Sequence, residues 1–410
     1  MSDPVLDINF VRAQFPAFTE PELEGWAFFE NAGGSYACQQ SIDRLTHYYR
    51  RLKVQPYAPY PASKTAGDWM DGAHVRLAGL MNVDESELHI GPSTSQNTFV
   101  LAEAFRAGWN DGDEIIVTNQ DHEANTGAWR RLGDRGITVR EWQVDSETGL
   151  LDPSDLDDLL TETTRLVAFP HCSNIVGHVN PVAEIMAKVH GAGAVGVVDG
   201  VSAAPHGLPD VDALGADVYL FSAYKTYGVH QGVFTVRSST MQLLANQSHY
   251  FNDDEIHKRL VPAGPDHAQV AALQGVADYI DLLHEHHFDD GAPAADRGRR
   301  VHDLMRAHET KLLGPLVDLL QSRNDVRLLG PSDASVRVPT VAVATQNNPV
   351  EIATKLSEHK IMAGAGNFYA VRLLEAMGVP ANTGVLRLSF VHYTSEAEIA
   401  QLTTALDACL

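Results

Sequence analysis

The 410-residue sequence carries 53 acidic against 30 basic side chains, a formal charge of −23, with 44% hydrophobic and 20% charged residues. So acidic an average surface repels nucleic-acid backbones and anionic membranes, and both are excluded as expected partners. Three cysteines, Cys38, Cys172 and Cys409, lie far apart without a C-x-x-C spacing, which speaks for a reducing compartment and against a disulfide framework or a zinc site.

The length suits two lobes around a deep site. No apolar run reaches the roughly eighteen residues of a membrane span, and no basic leader precedes an apolar stretch, so a cytoplasmic protein is expected. Residues 1–25 read as a segment packing on both lobes, 26–285 as a larger domain and 286–410 as a smaller α+β domain. Early in the chain, "FFENAGGSYACQQ" has too few apolar positions for a core of its own.

"GPSTSQNTFVLAEAF" then places Ser93, Thr94 and Ser95 at the start of an amphipathic helix. Hydroxyls and unpaired backbone N–H groups at such a terminus suit an anion, although serine and threonine cap helices in general. Over residues 70 to 240, β-rich runs alternate with helical patterns: "EIIVTN", "ITVREWQV", "RLVAFPH", "AVGVVDG", "DVYLFSA" and "GVFTVR". This rhythm predicts an α/β fold with a mostly parallel sheet. Ligands gather at the carboxyl ends of such strands, which singles out His122, Asn174, Asp199 and Lys225.

Lys225 ends the apolar stretch "YLFSAYK", where an unpaired ammonium costs several kcal/mol. Asp199 ends "VVDG", the strand run before it. A strand-end carboxylate can cap its own turn or hold a protonated ring nitrogen. A strand-end lysine beside it can form an imine with an aldehyde, and together they are the pair that pyridoxal phosphate chemistry requires. Later, "HEHH" at 284–287 lacks a second ligand pair and reads as a solvated helix end, so no metal is expected. The run from 385 alternates Val385, Arg387 and Ser389 against Leu386, Leu388 and Phe390. A guanidinium on such a strand can grip a carboxylate in bidentate fashion or form an ordinary ion pair.

In order and spacing, "DHEAN", "HCSNIVGHVNPVAEI", "VVDGVSAAPHGLPDVDALGADVYLFSAYKTYG" and "LRLSFVHYTS" resemble the class V aminotransferase group of pyridoxal-phosphate enzymes, in particular its cysteine desulfurase-like branch. The resemblance runs from "FFENAGG" to the final helix. It implies the fold type I of PLP-dependent transferases, pyridoxal 5'-phosphate as cofactor, an amino-acid substrate and a homodimer. Carried over by motif, Lys225 is the imine-forming lysine, Asp199 the partner of the pyridine nitrogen and His122 the ring that stacks on the cofactor. Asn174 donates to the cofactor's phenolic oxygen; Thr94, Ser95, Ser222 and Tyr224 hold its phosphate, with Ser202 also at the cofactor. Arg387 and Asn31 meet the substrate.

Three departures stand out. Tyr224 replaces the histidine that usually precedes the lysine. Pro265, in "AGPDHA", replaces a threonine that reaches the neighbouring subunit's phosphate, which leaves Asp266, His267 or their backbone for that place. The stretch "HKIMAGAGNFYAVRLLEAMGVPANTGVL" lacks the loop cysteine on which desulfurases build a persulfide. Cys38 is the remaining candidate thiol near the site, Cys172 reads as a packed small hydrophobe, and Cys409 lies too near the end to matter. The reading that follows is β-elimination, a C–S lyase acting on cysteine or a cysteine derivative as an imine. Transamination or epimerisation uses the same groups. A silent, partner-binding relative would have lost Lys225 or Asp199.

Overall fold

A computed structural model describes residues 4–288 and 290–410. The first strand, β1 (Ala27–Phe29), is followed by seven that form one sheet: β2 (Leu88–Gly91), β3 (Glu114–Thr118), β4 (Thr138–Trp142), β5 (Thr164–Pro170), β6 (Val195–Asp199), β7 (Val218–Ser222) and β8 (Gly232–Val236). Their order is β2-β8-β7-β6-β5-β3-β4. Pairing is parallel from β7 through β4, and β8 runs antiparallel to both its neighbours. Every residue of β7 and β8 is buried, as continuous apolar strands covered on both faces must be.

A second sheet holds β9 (Val326–Leu329), β10 (Thr340–Thr345), β11 (Ile361–Gly366) and β12 (Val385–Ser389), in the order β1-β11-β12-β10-β9. The sequence places residues 27–29 in the larger domain, but β1 pairs in parallel with β11, Ala27 opposite Ile361 and Phe29 opposite Ala363. The physical reason is burial: Ala27 and Phe29 join the apolar cluster of Leu313, Val341, Leu386 and Leu388. The alternation read for 385–390 holds. Leu386, Leu388 and Phe390 face that cluster, while Val385 faces the core of the larger lobe.

The amino-terminal residues are tied down at two places. Asp7 donates its backbone N–H to His287 Nε2 at 2.9 Å, and Phe10 stacks on His286 with ring centroids 3.7 Å apart. Arg12 donates to Tyr393 O at 3.0 Å and pairs with Glu398 at 2.7 Å. The histidine run at 284–287 therefore pins a chain segment. No helix among the described residues is long and apolar enough to cross a membrane.

Beyond β1, the helix Gln39–His47 lies against the helix Gln274–His287 at Gly275, where a Cβ would fall 2.4 Å from the backbone N of Ser41. Backbone cannot yield that distance cheaply. Gly275→Ala is expected to cost about 1–3 kcal/mol, read as a lowered denaturant midpoint.

Candidate active site

The carboxyl ends of β5, β6 and β7 open on one side of the larger sheet. Asp199 is the last residue of β6, and its Oδ1 accepts the Val201 N–H at 2.8 Å. After β7 the chain makes one tight turn, Ala223–Lys225, closed by Thr226 and Gly228 N–H groups on Ala223 O, both at 2.9 Å. The turn is braced from outside by the segment after β1: Ser35 N–H donates to Tyr224 O at 3.0 Å, Ser35 Oγ to Lys225 O at 2.6 Å and Cys38 N–H to Tyr227 O at 2.9 Å. These bonds place the "NAGG" turn at the site and fix the backbone from which Lys225 projects.

A cavity of about 270 Å3 lies over these strand ends. Thr94, Ser95, His122, Asn174, Asp199, Ser202, Ser222, Tyr224 and Lys225 all line it. At one end Ser93 Oγ caps the helix Thr94–Arg106 by accepting the Gln96 N–H at 3.2 Å, and Thr94 Oγ1 and Ser222 Oγ meet at 2.8 Å. Hydroxyls at a helix amino terminus suit a phosphate, by the terminus's partial positive charge and its free N–H groups. Tyr224 stacks on His230, centroids 4.7 Å apart and planes 4° from parallel.

Burial governs the electrostatics. The Lys225 amine, 8% exposed, is pushed down to about 8 by burial first and by the Arg387 charge second, against the pull of Asp199 and Glu30. Burial raises Asp199 to about 6, against the Val201 N–H and Lys225. Beside it, burial and the Asp199 charge hold the Asp121 carboxyl far above the ordinary range, so Asp121 tends to keep its proton and Asp199 to carry the charge. Asp121 also orders its neighbours, accepting from His122 N–H at 3.0 Å and from Asn125 Nδ2 at 2.6 Å. His122 is pushed down to about 3 by burial and then by Lys225 and Arg387. Its ring is neutral, with Nδ1 accepting the Ala124 N–H at 3.0 Å.

These residues fit pyridoxal phosphate: hydroxyls at a helix terminus for the phosphate, a neutral flat imidazole for the ring face, a strand-end carboxylate for the ring nitrogen and a buried amine for the aldehyde. Asn174 has a buried Oδ1 without a partner, while its Nδ2 donates to Phe368 O at 3.0 Å and keeps a second N–H for a ligand.

The two residues read as substrate contacts do not line this cavity. Asn31 lines a small adjoining space with Ser202 and Lys225, but Nδ2 bonds Phe28 O and Ser389 O, both at 3.2 Å, and Oδ1 accepts from the Tyr393 hydroxyl. Arg387, 3% exposed, pairs through Nη2 with Glu30 Oε1 at 2.8 Å and lies over the Phe368 ring at 3.7 Å. Glu30 and Asp121 escape sequence reasoning because their roles depend on partners hundreds of residues away or on the opposing strand end. Phe368 and Tyr369 escape it too; both have positive φ, 50° and 58°, in a turn held locally by Asn367, whose Oδ1 accepts the Tyr369 N–H at 3.1 Å, and by contacts distant in sequence. Tyr369 O accepts the Glu123 N–H at 3.0 Å, and its ring lies 5.3 Å from that of His122.

The thiols are packed. Cys38 is fully buried, its Sγ 3.5 Å from Ser41 Oγ, and burial pushes it up to about 11. Cys172 borders the cavity but is 3% exposed, donates to Gly177 O at 3.2 Å and is pushed up to about 12 by burial. Asp266 caps its own helix, accepting the Gln269 N–H at 3.1 Å.

The likeness to known proteins runs over the whole chain. The family model described as "Aminotransferase class-V" matches residues 27–289 and 300–402. The aminotransferase-like protein FGM3 of Gibberella zeae is 32% identical over the full length of both chains. A probable cysteine desulfurase of Halobacterium salinarum is 27% identical, covering 98% of this chain and 96% of its own. The apo structure of a cysteine desulfurase from Thermococcus onnurineus superposes with a TM-score of 0.85 over 100% of this chain and 99% of its own at 21% identity, a likeness of fold.

Only the neutral amine attacks an aldehyde, and a lowered lysine is neutral above its own value. The rate at which the unloaded protein takes up pyridoxal phosphate, followed by visible absorbance, should therefore rise with pH through an inflection near 8. An inflection near the 10.5 of an ordinary lysine would contradict the assignment.

Proposed function

Because the chain belongs to the class V aminotransferase family and is a pyridoxal-phosphate-dependent enzyme of fold type I, we propose that it cleaves the Cβ–S bond of cysteine or a cysteine-derived thioether by β-elimination. The observation that carries the choice is the state of the thiols. All three cysteines are buried with their thiols pushed up, so none supplies the thiolate that a persulfide route requires.

Pyridoxal phosphate, when bound, supplies the electron sink for the pair left at the substrate α-carbon. Asp199, charged above about pH 6, would accept the proton-bearing ring nitrogen's hydrogen bond. His122, neutral, would offer its flat imidazole to one face of the ring and keep water from it. Asn174 would orient the phenolic oxygen with its remaining N–H, and Thr94, Ser95, Ser222 and Tyr224 would anchor the phosphate, with Ser202 also lining the cavity. Lys225 Nζ takes the α-proton. The Cβ–S bond then breaks with its electron pair going to sulfur, and the proton held at Nζ balances the departing thiolate. Arg387 receives the substrate carboxylate, and Asn31 shapes the adjoining wall through its bonds to β12.

Transamination remains the competing reading, since FGM3 is described as aminotransferase-like. Elimination releases thiol together with equal amounts of 2-oxo acid and ammonia and needs no amino acceptor. Incubation with S-methyl-L-cysteine should give all three products, and Lys225→Ala should reduce them by roughly a thousandfold. Oxo acid formed only with an added amino acceptor, with no thiol, would replace this reading by transamination.

The chain is proposed to act in the cytoplasm as a homodimer. Exposed Tyr250 and Phe251, and a cavity of about 760 Å3 lined by Leu260, Val261, Pro262 and Pro265 next to Gln96, support a face that a second copy covers. Sedimentation should give twice the mass of 44.6 kDa, and a monomer at micromolar concentration would contradict it.

A further inference from the structure

Arg387 already holds a carboxylate. Glu30 follows β1, bridges to Ser389 of β12 and extends its side chain to Arg387, Oε1 to Nη2 at 2.8 Å. The contact is single. Arg387 Nη1 reaches Asn174 O only at 3.4 Å, and Nε is buried without a partner. A guanidinium grips a carboxylate best through two parallel bonds, so this one has donors to spare.

The position of the Glu30 carboxylate is built. A Cβ on Gly33 would fall 2.8 Å from Oε1, and one on Gly364, opposite Arg387 in the β11–β12 register, would fall 2.1 Å from Oε2. A glycine of the turn after β1 and a glycine of β11 thus leave the hollow it fills. The Phe368 ring covers one face of the guanidinium. The Glu30 side chain is 29% exposed, unlike the 3% of its partner, so it has water to move into.

Resting on the assignment of Arg387 to the substrate carboxylate, we propose that Glu30 is a resident competitor for that arginine, a specificity-determining residue that the substrate's carboxylate must displace. The exchange keeps Arg387 paired in both states, so its charge is never buried alone. It also weakens the hold on the α-carboxylate, which makes a substrate depend on its other contacts, and it disfavours substrates with a second carboxylate near Glu30.

The test uses the loaded enzyme and two probes that differ only in the carboxylate, S-methyl-L-cysteine and 2-(methylthio)ethylamine, with binding followed by the cofactor absorbance. Glu30→Gln keeps the shape of the hollow and removes the charge; Glu30→Asp keeps the charge but withdraws it by one methylene. Both should tighten S-methyl-L-cysteine, Glu30→Gln by roughly tenfold, and leave the amine unchanged. If Glu30→Gln weakens the amino acid or leaves it unaltered while Arg387→Gln weakens the amino acid alone, Glu30 is no competitor and the arginine assignment stands. Should Arg387→Gln treat amino acid and amine alike, that assignment fails and takes the exchange with it.

Discussion

The structure turns on one costly placement, an amine held almost out of water at the end of a buried strand. An ammonium there loses most of its hydration, and the nearby carboxylate of Asp199 returns only part of it. The amine responds by becoming easier to deprotonate, which is the condition a nucleophile needs near neutral pH. Around it the chain concentrates unusual restraint. The strand before the lysine is buried on both faces, the turn that carries it is closed by two backbone bonds, and the segment after β1 braces it with three more.

A second consequence of burial lies across the cavity. Two carboxylates, Asp121 and Asp199, share a low-dielectric space, and both cannot be charged there. Asp121 is the better placed to stay protonated because the Asp199 charge acts on it, while the Val201 N–H and Lys225 favour the charge on Asp199. Burial first, and then the positive charges of Lys225 and Arg387, keep His122 neutral and therefore able to lie against an aromatic ring without carrying a cation into the site. One environment thus sets three protonation states in the directions that the proposed chemistry uses.

Much of this was legible in the residues because the larger lobe is written in local signals. Six apolar runs became β3 to β8, and the positions of Asp199 at a strand end and Lys225 in the turn just past one followed from where those runs stop. What escaped depends on contacts far apart in sequence. β11, "IMAGAG", is too rich in glycine to read as a strand, and β1 joins it only because Ala27 and Phe29 complete the smaller lobe's core. "HEHH" read as a solvated end, whereas His286 and His287 hold the amino-terminal helix by a stack and a hydrogen bond. Arg387 read as a carboxylate clamp or an ordinary ion pair, and no periodicity could have announced that Glu30 is the partner, seated in a hollow made by Gly33 and Gly364.

The central claim is that the amine at position 225 is the covalent anchor of the cofactor. Loading the protein with pyridoxal phosphate, reducing it with borohydride and mapping the tryptic peptides by mass spectrometry tests this directly. The account predicts one pyridoxyl group per chain, on Lys225. A modification on any other lysine, or none at all in cofactor-saturated protein, would contradict it.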